Sequence, residues 1–145
     1  MKKRGILNAQ LMSELTKLRH TDKMVICDAG FPIPKDATVV DVSLIAGVPT
    51  LPQVLKAVLN EIIVEEYAIF DIMEEANKEY YDFVKETFKD KQKYSEVSMP
   101  EFQKMTADAK FYVRTGEMAP CSNIMLVSAS GVGFLCDPMD ISFDE

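Results

Sequence analysis

The run Met24-Val25-Ile26-Cys27 constrains the fold of this chain more than any other stretch. Four apolar residues follow one another without a polar break, bounded by Asp22-Lys23 before and Asp28-Ala29-Gly30 after. A strand without polar alternation must be covered on both faces, and sheets covered on both faces are mainly parallel ones layered by helices. The run therefore predicts a buried strand of an α/β domain. Two chemically interesting residues bracket it: His20, the single histidine, precedes the strand, and Asp28 closes it. Ligands of open α/β sheets gather outside the carboxyl ends of strands, so Asp28 is the expected binding carboxylate. His20 is expected close by, at the end of the preceding helix.

The other segments alternate in the same way. Leu7, Leu11, Leu15 and Leu18 recur at helical spacing after Asn8, a good N-cap, which predicts a helix over about Ala9 to Arg19. Phe31-Pro32-Ile33-Pro34 must be a loop, and Thr38 to Val42 is β-branched and strand-like. Leu51, Val54, Leu55, Val58, Leu59 and Ile62 form the stripe of a helix that begins near Pro52. Tyr67 to Phe70 is a third strand, followed by a helix over about Glu75 to Lys89. A weak strand at Tyr94 to Val97 leads to a short helix opened by Pro100 with Ser98 as its cap. Lys110 to Arg114 and Ile124 to Val127 are the last strands. The expected architecture is one layered α/β/α domain with a mostly parallel central sheet, over residues 1–136, followed by an acidic and mobile tail over 137–145.

Charge and cysteine usage exclude several functions. With 16 basic against 23 acidic residues and a net charge of −7, nothing supplies the basic footprint of a nucleic-acid binder. No stretch approaches the roughly 20 apolar residues of a membrane span, and the basic Lys2-Lys3-Arg4 is followed by no signal-peptide core, so a cytoplasmic protein is expected. Cys27, Cys121 and Cys136 are odd in number and far apart, which argues for reduced thiols and against zinc. A single histidine makes any metal site improbable, and no cofactor fingerprint is present.

The chemistry that remains is proton transfer. An imidazole near its ordinary value of about 6.5 exchanges protons at neutral pH, and a helix carboxyl terminus favours its charged form by roughly 0.3–1 kcal/mol. Against this, a lone histidine is more often a surface or core residue, and Asp28-Ala29-Gly30 is also ordinary turn chemistry. Arg114-Thr115-Gly116-Glu117 reads equally as a loop for hydroxyls or an anion and as a strand-ending turn with a solvated ion pair. Cys121 lacks the surroundings of a cysteine nucleophile, and Ser128 to Gly133 lacks the lysine of a P-loop. One histidine and one or two carboxylates supply about 10²–10⁴ in rate, roughly 3–5 kcal/mol. That suits a reaction that already proceeds in water, such as opening and reclosing a sugar hemiacetal, but composition does not select it.

Several motifs taken together do. Met1 to Asn8, Arg19-His20-Thr21-Asp22-Lys23, Asp28-Ala29-Gly30-Phe31-Pro32-Ile33-Pro34 and Val113-Arg114-Thr115-Gly116-Glu117 with Asn123 resemble, in order, the D-ribose pyranase family, which is related to the L-fucose mutarotases. The resemblance spans most of the chain before about Ser128. It implies a cytoplasmic isomerase that interconverts pyranose and furanose or anomeric forms of a monosaccharide, without cofactor or metal. It also implies a ring-shaped homodecamer with sites near subunit contacts. The residue matching the proton donor is His20, Asp28 matches the residue that holds sugar hydroxyls, and Cys121-Ser122-Asn123 matches the run that completes the pocket. Two positions depart from the pattern. Met99 stands where the family has a histidine, and Cys121 where it has a tyrosine or comparable residue. Loss of two hydrogen-bonding groups points to a sugar with fewer hydroxyls. The alternative is a non-catalytic sugar- or metabolite-binding protein on the same scaffold.

Overall fold

The computed structural model describes residues 1–88, 93–131, 133 and 138–144. Its order is α1 (Ala9–Leu15), β1 (Lys23–Cys27), β2 (Val39–Asp41), α2 (Leu51–Leu59), β3 (Val64–Phe70), α3 (Met73–Ala76), α4 (Lys78–Phe88), β4 (Lys93–Val97), α5 (Met99–Thr106), β5 (Phe111–Arg114) and β6 (Ile124–Ser128). The strands form one six-stranded sheet in the order β2-β5-β1-β6-β3-β4. β1 pairs parallel with β5, β5 with β2 and β3 with β4, whereas β6 runs antiparallel to both of its neighbours. The expected single-domain, mostly parallel α/β fold is therefore present, with β6 as the reversed strand.

β1 occupies the centre for the reason its composition implies: Met24, Val25, Ile26 and Cys27 are all buried. α2 covers it with Leu51, Val54, Leu55, Val58 and Leu59, the predicted stripe. Thr50 starts that helix with a capping box, accepting from the Gln53 amide while the Gln53 side chain accepts from Thr50 N–H. α5 packs against β1 and β3, where the Phe102 ring meets the edges of Phe31 and Phe70. Ser98 caps α5 as expected.

Three expectations need correction. α1 ends at Leu15, four residues earlier than its leucine pattern suggested, because the chain tightens: Lys17 N–H donates to Glu14 O and Leu18 N–H to Leu15 O. Leu18 still packs on the core, so the apolar spacing persists where the helix does not. His20 thus lies beyond the helix, and the dipole argument does not apply to it. The expected helix from Glu75 to Lys89 is split at Asn77 into α3 and α4, and Lys89 lies outside the described residues. Of the carboxyl-terminal tail, the described part is docked: Met139 is buried and exchanges two backbone hydrogen bonds with Val64. Asn60 in turn holds Phe143 through both its N–H and its carbonyl.

Candidate active site

The carboxyl edge of the parallel strands gathers polar side chains in a row. Asp41 ends β2, Arg114 ends β5, Asp28 follows β1, and Cys121-Ser122-Asn123 lead into the reversed β6. Asp28 and Asn123 are locked together. The Asp28 N–H donates to Asn123 Oδ1 at 3.0 Å, and Asn123 Nδ2 donates to Asp28 Oδ2 at 3.0 Å. Gly30 N–H holds the other carboxylate oxygen at 3.0 Å, the Asx-turn expected of Asp-Ala-Gly. The turn-forming reading of Asp28 therefore holds, and Asn123 fixes the same carboxylate from the side of β6. Burial pushes its carboxyl above the ordinary range, the Asn123 and backbone donors offset this in part, and the Glu117 charge adds to the rise.

Glu117 is a feature that sequence reasoning misjudged. It is buried rather than solvated, and its carboxylate accepts from Tyr80 OH (2.6 Å), Leu51 N–H (3.1 Å), Met118 N–H (2.9 Å) and Ala119 N–H (2.9 Å). Burial alone would raise its pKa, but these donors outweigh it and hold the group below the usual carboxylate value. Its carbonyl accepts from Ala29 N–H. One residue thus ties the loop after β1, the start of α2, α4 and the segment that leads to Asn123. The ion pair of the loop belongs instead to Arg114, which donates to Asp41 and Ser43 and, through Nε, to Ala29 O. Gly116 is required sterically: a Cβ there would collide with the carbonyls of Val48 and Ile45.

Cys121 adopts a left-handed backbone (φ 57°), uncommon for a residue other than glycine and costing of order 1–3 kcal/mol. Such strain concentrates at functional sites. Burial, then the charges of Asp28 and Asp71, raise the pKa of its thiol, which disfavours the thiolate form that a nucleophile needs. Ser122 is buried, its hydroxyl accepting from Asn77 Nδ2 at 3.1 Å, which leaves Asn123 as the side chain of that run facing Asp28. Met99 opens α5 at the same edge, after β4, and is exposed. A cavity of about 260 Å³ opens on the β2–β5 side of this edge, lined by Ala29, Ser43, Leu44, Arg114, Gly116 and Met118 among others. Among the described residues no cluster suited to a metal ion occurs, and no helix is long and apolar enough to cross a membrane.

His20 is not part of this row. It lies before the amino end of β1, where its Nε2 is 2.9 Å from Glu65 Oε2 at the start of β3. The strand alone separates the two edges by about 13 Å at roughly 3.3 Å per residue. The expectation that His20 sits near Asp28 fails within one chain, because a strand is an extended spacer and the two residues lie at its opposite ends. Thr21, next to His20, is the other non-glycine residue with a positive φ (69°) among those described.

Comparisons with known proteins agree with this fold. The family model of the RbsD / FucU transport protein family matches residues 1–132. The D-ribose pyranase of Geobacillus thermodenitrificans is 42% identical over 134 residues, covering 92% of this chain and 99% of that protein. An Escherichia coli D-ribose pyranase is 36% identical over 141 residues, covering 92% and 100%. Among solved structures, Bacillus subtilis RbsD complexed with D-ribose superposes with a TM-score of 0.83 at 37% identity, over 89% of this chain and 98% of that one. The fucose mutarotase of Streptococcus pneumoniae, in complex with L-fucose, shares the fold with a TM-score of 0.70 at 17% identity, over 85% and 93%. Matched over nearly its whole length in sequence and in fold, the chain belongs to the RbsD / FucU family.

Proposed function

We propose that this protein is a sugar mutarotase that interconverts ring or anomeric forms of a monosaccharide. The observation that carries the reading is the Asp28–Asn123 pair at the carboxyl edge, where a partly buried carboxylate and an amide stand fixed by reciprocal hydrogen bonds. Asp28 accepts sugar hydroxyls, and Asn123 both orients it and offers hydrogen bonds. Ring opening needs a proton to leave the anomeric hydroxyl and another to reach the ring oxygen. His20 is the proton donor in this reading, with Glu65 orienting its imidazole. No cofactor or metal takes part.

His20 and Asp28 of one chain stand at opposite ends of β1, so a site that uses both draws His20 from a neighbouring copy. Exposed apolar side chains support such an assembly: Leu44, Ile45 and Met118 line the cavity at this edge and Val48 is exposed in the same loop, a grouping more typical of subunit contacts than of free surface. A homodecamer located in the cytoplasm is the state we assign. Met99 and Cys121 replace directional polar groups with soft apolar ones, which favours a sugar with fewer hydroxyls than ribose. An unpaired buried hydroxyl costs about 1–3 kcal/mol, or roughly 5- to 150-fold in affinity.

Titration with D-ribose and with deoxy analogues tests the specificity. The wild type should prefer a deoxy sugar, and Met99→His with Cys121→Tyr should move the preference toward ribose. A wild-type preference for ribose, or no shift in the double variant, would remove these two positions from the specificity. Sugar binding without faster exchange of its forms would favour a binding protein over an isomerase.

A further inference from the structure

The sheet register places a residue in the row that neither motif nor resemblance singled out. Continuing the β1–β6 pairing from Ile26↔Ile124 brings Asp28 level with Ser122. Continuing the β3–β6 pairing from Ala68↔Met125 brings Asp71 level with the same Ser122, from the other side. The parallel β3–β4 pairing, Phe70↔Val97, then sets Asp71 level with Ser98, next to Met99. Asp28 and Asp71 therefore flank the Cys121-Ser122-Asn123 run at two strand spacings, roughly 10 Å between backbones. Asp71 occupies the gap between Asn123 and Met99, so any ligand that reaches from Asp28 to Met99 passes it.

Its circumstances suit a ligand contact. The backbone of Asp71 is fixed by a hydrogen bond from its N–H to Val97 O at 2.9 Å, while the residue itself is exposed. Neither a salt bridge nor a side-chain hydrogen bond engages its carboxylate among the described residues. Its charge reaches Cys121, as that of Asp28 does. We infer that Asp71 is a further substrate-binding residue, a second carboxylate that accepts hydroxyls of a neutral sugar on the side of the site away from Asp28. The inference rests on the mutarotase reading and narrows its substrate class. Two acceptor-only carboxylates facing one ligand favour an uncharged polyol and repel a uronate or a phosphorylated sugar. The acceptor at Asp71 also supplies polarity near the two positions, Met99 and Cys121, that have lost it.

The test compares wild type, Asp71→Asn and Asp71→Ala as full-length protein, using D-ribose and 2-deoxy-D-ribose as probes. Ring-form exchange by NMR magnetisation transfer yields kcat and KM, and titration yields Kd. Asp71→Ala should raise KM and Kd by about 10-fold or more with kcat little changed, and Asp71→Asn, which keeps one acceptor oxygen, should recover part of the loss. Alkylation by iodoacetamide, followed at the peptide carrying Cys121, should speed up in Asp71→Asn at fixed pH and slow down when sugar is added. Wild-type KM and Kd in Asp71→Ala overturn this inference alone, as does a fall in kcat with unchanged KM. A wild type that neither binds nor interconverts either probe, or any other neutral sugar, overturns the mutarotase reading along with it.

Discussion

Removal of the Glu117 carboxylate should be among the most damaging single changes in the molecule. Glu117→Ala deprives four donors of their acceptor: Tyr80 OH and the N–H groups of Leu51, Met118 and Ala119. Water can reach the last two, which are only partly buried, so their loss is cheap. The Leu51 N–H is buried at the first turn of α2, and the Tyr80 hydroxyl bond is short and charge-assisted. A buried unsatisfied N–H costs about 1–3 kcal/mol and a hydrogen bond to a charged acceptor contributes about 1.5–3 kcal/mol, so together they lead to a loss of roughly 2.5–6 kcal/mol. That is a large part of the 5–15 kcal/mol typical of a domain. Glu117→Gln keeps one acceptor oxygen and should lose about half as much. Urea unfolding at a fixed protein concentration measures both, since assembly would otherwise shift the midpoint. The sign of the pH effect follows from the depressed pKa in the folded chain. The charged form stabilises the fold above the unfolded carboxyl value of about 4.3, and this contribution disappears as pH falls through the folded value. The gap between wild type and Glu117→Gln should therefore narrow below about pH 4. An alanine variant within about 1 kcal/mol of wild type at pH 7 would refute the account of Glu117 as the tie between four segments.

Other outcomes follow from the same geometry. If Asp28 works as a carboxylate, sugar exchange should fall on the acid side as pH drops through its raised pKa, a limb that lies above the ordinary aspartate value of 3.8. Asn123→Ala removes the donor that stabilises the charged form, so the same limb should move to higher pH while affinity drops by about 10-fold; a pH–rate profile checks both. Gly116→Ala should destabilise the loop by more than the usual surface change, because its Cβ meets the Val48 carbonyl; thermal melting reads this out. Met139→Ala empties a fully buried position and should cost about 2–4 kcal/mol in urea unfolding, whereas a free tail would lose nothing.

The elements that local pattern specifies were legible in the sequence. Met24 to Cys27 announced a central strand because four apolar neighbours leave no solvent face, and the stripe from Leu51 to Leu59 announced α2, though not the Thr50 cap that starts it. What escaped was set by long-range pairing. The Leu18 side chain packs on the core from a tightened turn, so its spacing mimicked one more helical turn and carried His20 with it. The distance between His20 and Asp28 follows from an extended strand and could have been read from the sequence. Asp71 could not, because its place beside Ser122 depends on the reversal of β6 between β1 and β3. Glu117 looked like half of a solvated pair, since nothing local announces that Leu51 and Tyr80 converge on it. Asp28 and Asn123 were each singled out, but that they pair reciprocally required the β1–β6 register.

The central claim is that the protein accelerates exchange between ring or anomeric forms of a neutral monosaccharide through His20. The most direct measurement is NMR magnetisation transfer between those forms, across pentoses, hexoses and deoxy sugars, with wild type and His20→Ala. His20 is partly exposed and, among the described residues, engages only Glu65 through its side chain, so the variant should keep its fold, as circular dichroism would verify. The account predicts exchange above the buffer rate for at least one sugar with wild type, and a loss of about 100-fold or more in the variant. Wild-type exchange that matches buffer for every sugar, or a His20→Ala variant as fast as wild type, would contradict it.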